Sequence, residues 1–276
     1  MQLPNIAELL KKTRYGTQDL QDIVAILRAP GGCPWDAAQT HASIRQNFIE
    51  ETYEVVEAIN QSDDTMLCEE LGDVLLQVAL HTQMSIERGA FGWEDVTDGI
   101  CRKLIERHPH VFGMVEVNGV GEVLRNWDAI KRKSKGQKTT IDAMEHVPRE
   151  LPALMRACKI KSKAQKAGFD WTSLEGVLGH LESEIAELRK AIASGDDAHA
   201  QEVLGDMLFA AANAARFMPQ NCDAEILLNE ATDKFTRRFA HLETLAAAEG
   251  VDLRTCDSAV QNRLWETAKA IASANG

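Results

Sequence analysis

The sequence predicts an all-α protein built from two tandem copies of one helical module, and three observations carry that prediction. Prolines, which break helices, stand at positions 4, 30, 34, 109, 148, 152 and 219, so Trp35 to His108 and Ala153 to Met218 run free of them. Apolar residues in these stretches recur with the helical period rather than in alternation. Acidic, basic and tryptophan-centred motifs of the first half return in the second half in the same order.

The elements follow from the N-terminus onward. In the opening MQLPNIAELLKKTRYG the two lysines come after a short apolar patch, the wrong order for a secretory signal. No apolar run approaches the roughly 20 residues of a spanning helix, so the expectation is a soluble, cytoplasmic protein. From Ser43 to Asn60 the residues Ile44, Phe48, Tyr53, Val55, Val56 and Ile59 mark one helix, and Leu67, Leu71, Val74, Leu75, Val78 and Ile86 mark the next. Between them Asn60 to Asp64 supplies turn and capping chemistry, which makes the pair an antiparallel hairpin. Only Val115 to Gly121 has a strand-like character. Lys131 to Thr140, polar and without apolar period, reads as a linker ahead of Pro148 and Pro152. The expected modules are residues 1–140 and 141–276.

Composition narrows the function classes. The chain has 276 residues, 45% of them hydrophobic and 26% charged, enough for a real core. Its 42 acidic against 30 basic residues give a formal charge of −12, which repels a nucleic-acid polymer but tolerates a small phosphorylated substrate if carboxylates hold a divalent cation. The six cysteines form no CxxC pair and suggest buried reduced thiols, neither a zinc site nor a disulfide framework.

The repeat places the chemistry. Glu51 and Glu54 precede Gly72-Asp73, Glu184 and Glu187 precede Gly205-Asp206, and the same interval separates Glu54 from Asp73 and Glu187 from Asp206. Lys103 to Arg107 parallels Lys234 to Arg238, and Trp127 to Lys131 parallels Trp265 to Lys269. Residues three apart share a helix face, so Glu51 with Glu54 and Glu70 with Asp73 put a carboxylate pair on each arm of the first hairpin, with Glu50 and Glu57 beside them. Four converging carboxylates cannot all stay ionised without a cation, and an oxygen-only donor set suits Mg2+, with Mn2+ as a substitute. One ExxE alone is more often a solvated helix face; acids on both arms, repeated in the other half, favour a metal site. A di-iron carboxylate site needs a Glu-x-x-His element, which neither Glu54 nor Glu70 has.

Gly32-Cys-Pro-Trp-Asp36 with Gln39 and Thr40, Glu50-Glu-Thr-Tyr-Glu54, Glu70-Leu-Gly-Asp73 and Arg107-His-Pro-His-Val-Phe112 together resemble the MazG nucleoside triphosphate pyrophosphohydrolases. Leu151 to Ala157, Gly168-Phe-Asp-Trp171 and Lys234-Phe-Thr-Arg-Arg238 resemble the family's second module. The resemblance implies a homodimer or higher homo-oligomer of two-module chains that uses Mg2+ to hydrolyse nucleoside triphosphates to monophosphate and pyrophosphate, cleansing ribo- and deoxyribonucleotide pools. Its metal pattern, EExxE then ExxD, falls on Glu50, Glu51, Glu54, Glu70 and Asp73. In the second module Glu184, Glu187 and Asp206 match, whereas Ser183 and Val203 depart from it. Glu202 beside Val203 is rotated by about 100° around a helix, so the second acidic motif is degenerate.

Under this resemblance Glu51, Glu54, Glu70 and Asp73 hold the metal; Glu50, the acid beside the ligands least needed by the ion, is by its position the candidate for orienting or deprotonating the attacking water. Lys103, Arg107, Lys131, Lys234, Arg237 and Arg238 are candidate phosphate clamps, against the plainer reading of basic solvated faces. Trp127 and Trp265 are candidate base platforms, against core or interface anchors, while Trp35 and Trp171 read as packing residues at the start of each module. Gly136-Gln-Lys-Thr139 lacks the upstream glycine of a phosphate loop. Two competing readings are a nucleotide-sensing or protein-binding helical module without catalysis, and a purely structural bundle.

Overall fold

A computed structural model describes residues 4–218 and 222–274, which are helical with connecting loops and contain no strand among the described residues. The chain divides into two compact units, one ending at Lys131 and one beginning at Arg132. In order, the first carries α1 (Ile6–Leu9), α2 (Thr17–Arg28), α3 (Pro34–Ala38), α4 (Arg45–Gln61), α5 (Asp64–Glu87), α6 (Trp93–Arg107), α7 (Pro109–Phe112) and most of α8 (Val120–Ser134). The second carries α9 (Thr140–Glu145), α10 (Ala153–Lys166), α11 (Leu174–Ser194), α12 (Asp197–Ala214), a 3-10 turn at Ala215–Phe217, α13 (Ala224–Glu249) and α14 (Ser258–Ala274).

The α4/α5 hairpin is the frame of the first unit. Helix α4 stops where Ser62 turns left-handed, at φ 55°, while its N–H bonds back to the carbonyls of Ala58 and Ile59. Asp63 then starts α5 by accepting from the backbone N–H groups of Thr65 and Met66 at 2.9 and 3.0 Å. The hairpin is anchored by Val24 of α2 and Ile44 packing on Ala79, Leu80 and Met84 of α5, with Leu20, Leu76 and Trp93 around them. Arg28, its side chain buried, makes a two-pronged pair with Glu87 and also donates to the carbonyls of Asp36 and Gln39. One guanidinium thus ties the segment before α4 to the end of α5.

The second unit uses the same device. Gly195 ends α11 in the left-handed region at φ 72°, and the Asp196 side chain caps α12 by accepting from His199 N–H. Helices α13 and α14 pack through Leu242, Ala246, Leu264 and Ala268. Helix α10 contributes Leu154, Ala157 and Cys158 to a cluster with Ala212, Ala215 and Ala224.

Four expectations need correction. Val115 to Gly121 forms no strand: residues 115–119 are irregular and α8 begins at Val120, since a lone β-like run has no partner to pair with. The expected linker is partly helical, because α8 runs through Ser134 and only residues 135–139 are irregular. Trp35 is 59% exposed and does not pack at the start of its unit, whereas Trp171 is half-buried against Lys161 and His180. No disulfide forms among the described residues, none of the cysteines is fully buried, and Cys68 and Cys101 are exposed, since they fall on the outer faces of α5 and α6.

Candidate functional site

The hairpin register brings three carboxylates together. Oxygen atoms of Glu51 on α4 and of Glu70 and Asp73 on α5 lie within 4.8 Å of one another, the spacing of ligands around one ion, and these side chains are half-buried. The pKa of Glu51 is raised by burial and by the neighbouring charges of Asp73 and Glu54. That of Glu70 is raised by burial and then by Glu54 and Asp73. Glu54, more exposed, stands within hydrogen-bonding reach of both Glu51 and Glu70. Like charges held this close cost free energy that a hard divalent cation would remove, so the donor set fits Mg2+.

The other acids of the first module stand apart. Glu50 is exposed and lies one residue, about 100° of helix rotation, off the line of Glu51. Glu57, exposed, accepts from Gln61 at 2.9 Å and is turned to its own helix face, so it does not enlarge the cluster. Sequence reasoning missed Gln77, one turn beyond Asp73. It is buried, and its Nε2 donates to Glu51 at 3.4 Å while its Oε1 has no partner. A polar residue at the fourth position after Asp73, on the inner face of α5, was the available signal.

In the second unit the same motif does not assemble. Glu187 accepts from His199 Nε2 at 3.0 Å, and Glu202 lies 3.6 Å from the other nitrogen of that ring, which raises the His199 pKa. Val203 is 2% exposed and packs in the core. Glu184 and Asp206 instead line a cavity with Lys161, Phe169, Asp170, Trp171 and His180. Among the described residues, the first hairpin alone holds three potential ligands within reach of one another.

The basic and aromatic candidates gather in part. Arg107 and Lys131 sit over the Trp127 ring at 5.2 and 4.7 Å from its centroid, so α6 and α8 present two cations on one indole. Lys103 is exposed on α6. In the second unit Trp265 packs on Phe235 with centroids 5.3 Å apart, Lys234 and Arg237 are exposed, and Arg238 is half-buried. Arg107 and Arg238 hold equivalent positions in the repeat, and both have a buried Nε with no hydrogen-bond partner. A buried guanidinium donor left unpaired is costly, and an anion would satisfy it.

Comparison with known proteins adds a family. Residues 39–112 match the MazG nucleotide pyrophosphohydrolase domain, a span that contains the whole α4/α5 hairpin. The chain is 42% identical over 252 residues, 91% of its length and 95% of the relative's, to a nucleoside triphosphate pyrophosphohydrolase/pyrophosphatase MazG of Thermotoga maritima. It is 42% identical over 255 residues, 91% of its length and 95% of the relative's, to a nucleoside triphosphate pyrophosphohydrolase of Escherichia coli. A relative from Bacillus subtilis, YabN, is 41% identical over 250 residues, 90% of this chain but 50% of that protein.

Proposed function

Because the chain belongs to the MazG family of nucleotide pyrophosphohydrolases, we propose that it hydrolyses nucleoside triphosphates to monophosphate and pyrophosphate at the carboxylate cluster of the first unit. Nucleoside triphosphate pyrophosphohydrolysis is the activity of relatives matched over nearly their whole length, and this chain is such an enzyme. The observation that carries the location is the convergence of Glu51, Glu70 and Asp73 with Glu54 at their side.

These four residues would hold Mg2+, with Mn2+ as a substitute. When bound, the ion neutralises charge developing on the phosphates and lowers the pKa of a water. The chain's own residues do the rest. Gln77 fixes one Glu51 oxygen by donating to it. Glu50, exposed beside the ligands, takes the proton of the water that attacks the α-phosphorus, and the bond to the β-phosphate oxygen breaks to release pyrophosphate. Arg107, with its unpaired Nε, and Lys131, both gathered on Trp127, receive phosphate oxygens, and Lys103 adds charge one turn away. In the second unit Lys234, Arg237 and Arg238 form the equivalent anion face, while Glu184, Glu187 and Asp206, which match the metal pattern in sequence, do not converge there.

The tandem modules are assigned to 1–140 and 141–276, with the matching caps Ser62-Asp63 and Gly195-Asp196 supporting a duplication. Homodimerisation is supported by the exposed apolar stripe Ile49, Tyr53, Val56 and Ile59 on α4, which the rest of the first unit leaves uncovered. No helix is long and apolar enough to cross a membrane, and a cytoplasmic location fits a nucleotide-pool substrate. Pyrophosphate release from ATP and the other ribo- and deoxyribonucleoside triphosphates with Mg2+ tests the reading. Primary products of diphosphate and orthophosphate would show that the wrong phosphorus has been assigned. A nucleotide sensor without catalysis would bind and release nothing.

A further inference from the structure

Two histidines of the first unit form a hydrogen-bonded chain that the carboxylate chemistry does not use. His41, in the segment between α3 and α4, and His81 of α5 bring their Nδ1 atoms to 2.7 Å, with the rings inclined by only 6°. Arg88, at the end of α5, donates to His41 Nε2 at 2.9 Å. A guanidinium never accepts, so this nitrogen of His41 is bare and the ring carries its hydrogen on Nδ1. That hydrogen is donated to His81, whose Nδ1 accepts and whose Nε2 holds the other ring's hydrogen. Both rings are therefore neutral, and each bare nitrogen already accepts a hydrogen bond.

A further proton has no free place in this chain. On His41 Nε2 it would face the Arg88 N–H, and on His81 Nδ1 it would face the His41 N–H, so either site costs a hydrogen bond and adds a second positive charge near Arg88. The neighbouring elements do not offset that charge. Glu87, the acid next to Arg88, is held by Arg28 of α2 and by Gln83, and α4 turns Phe48 edge-on to the His81 ring at 5.8 Å. Burial, and then His41, keep the His81 pKa below its ordinary 6.5.

The chain sits where the hairpin is assembled. His41 lies one helical turn before Ile44, which is 2% exposed and packs on Ala79, Leu80 and Met84, the residues around His81. His81 itself lies about two turns beyond Asp73. Arg28 also ties this segment to α5, yet neither that arginine nor Glu87, with its lowered pKa, changes charge near neutral pH. Of the two ties, the histidine chain is the one that protons can open. In the second unit Ala214 stands where His81 stands in the first, at the offset that relates Asp73 to Asp206.

We propose that the Arg88–His41–His81 chain is a proton-operated latch: in mild acid it takes up a proton, one of its bonds breaks, the start of α4 loosens from α5, and the cluster of Glu51, Glu70 and Asp73 loses affinity for its cation. The inference rests on the cation reading of that cluster and adds its regulation. Because the folded His81 pKa lies below the unfolded one, the latch's contribution to stability is full above pH 6.5 and is lost as the pH falls from there through the folded value.

Two-bond proton–nitrogen spectra of the full chain test the latch itself. At pH 8 His41 should carry its hydrogen on Nδ1 and His81 on Nε2, with the signals assigned by their loss in His41→Asn and His81→Asn, and His81 should stay neutral below pH 6.5. The opposite tautomers, or two rings half-protonated at 6.5 in the folded chain, overturn the proposal. The coupling is read without turnover, from the rise in urea midpoint that Mg2+ produces. In His81→Asn an amide oxygen replaces Nδ1 and takes up no proton, while the carboxylates that also titrate in acid are common to both chains. Apparent Mg2+ affinities of parent and variant should agree within about twofold at pH 8, and at pH 5.5 the parent should be the weaker by about threefold or more. Should His81→Asn not fold, His41→Asn carries the same comparison, since its amide can turn its oxygen to a protonated His81. Parallel loss of Mg2+ affinity in parent and folded variant overturns the proposal. A parent midpoint that Mg2+ leaves unmoved at pH 8 overturns the cation reading instead, and the spectra tell that result apart from a missing latch.

Discussion

The α4/α5 and α11/α12 hairpins share one backbone plan and differ in what their inner faces do. Each is two long helices joined by a left-handed residue and an aspartate cap, and each carries a Glu pair on its first arm and a Gly-Asp on its second. In the first, half-buried carboxylates converge within 4.8 Å, and burial together with the neighbouring charges raises the pKa of Glu51 and of Glu70. In the second, Val203, a core residue, stands where the first acid of the second arm would be, and Glu187 has turned to a histidine partner, His199. A helix pair thus tolerates removal of a single ligand without loss of fold. What it loses is electrostatic frustration, and with it the demand for an ion.

The largest expected effects would break that contrast. Glu54→Gln, close in shape but uncharged, should lower pyrophosphate release by about 100-fold or more, whereas Glu187→Gln should leave most of it. Side-by-side turnover of the two variants decides the matter, and a dead Glu187→Gln would move catalysis to the second unit. Excess EDTA should abolish turnover of the parent chain and restored Mg2+ should recover it, because four carboxylates repel substrate phosphates when no cation lies between them. Turnover that survives chelation would remove the ion from the reaction.

A subtler substitution asks whether the second site can be rebuilt. Val203→Glu restores the missing letter of the motif, yet Val203 is 2% exposed and the acid would enter the core. A stability loss of about 1–3 kcal/mol is expected, read as a lower urea midpoint, with no gain in turnover. Extra Mg2+-dependent activity in this variant would mean that the α12 face rotates to meet Glu184 and Asp206.

Much of this contrast was legible in the sequence, for reasons that differ by element. The hairpin could be read because Ile44, Phe48 and Leu67 to Ile86 keep a helical period and Asn60 to Asp64 has capping chemistry. Glu51, Glu70 and Asp73 could be paired because helix spacing and a short turn fix which faces meet. The partnership of Glu187 with His199 could not, since it depends on side-chain rotation between neighbouring arms. Neither could Gln77, whose importance comes from its burial, its bond to Glu51 and an oxygen with no partner. Tertiary satisfaction of polar atoms leaves no periodic trace in a sequence.

The smallest effect concerns the clasps that hold each hairpin to the segment before it. Arg28 grips Glu87 in the first unit and Arg216 grips Asp170 in the second, and in both cases the arginine's hydrogen bonds hold the acid's pKa below its ordinary value. A carboxylate with a depressed folded pKa contributes stability that is fully present above its unfolded pKa, 4.5 for Glu87 and 3.8 for Asp170, and lost as pH falls through the folded value. Glu87→Gln and Asp170→Asn should therefore each lie below the parent chain in urea midpoint at pH 7, with the gaps closing as the pH is lowered through and below 4. The Asp170 gap should persist to the lower pH, since that acid starts from the lower pKa and is the less exposed of the two, at 19% against 37% for Glu87. Urea titrations of the three chains at intervals from pH 7 to pH 3 would show it. A gap for Glu87→Gln that is unchanged down to pH 3 would mean that Gln83, which also donates to that carboxylate, and the packing around the side chain carry the effect instead of the Arg28 charge.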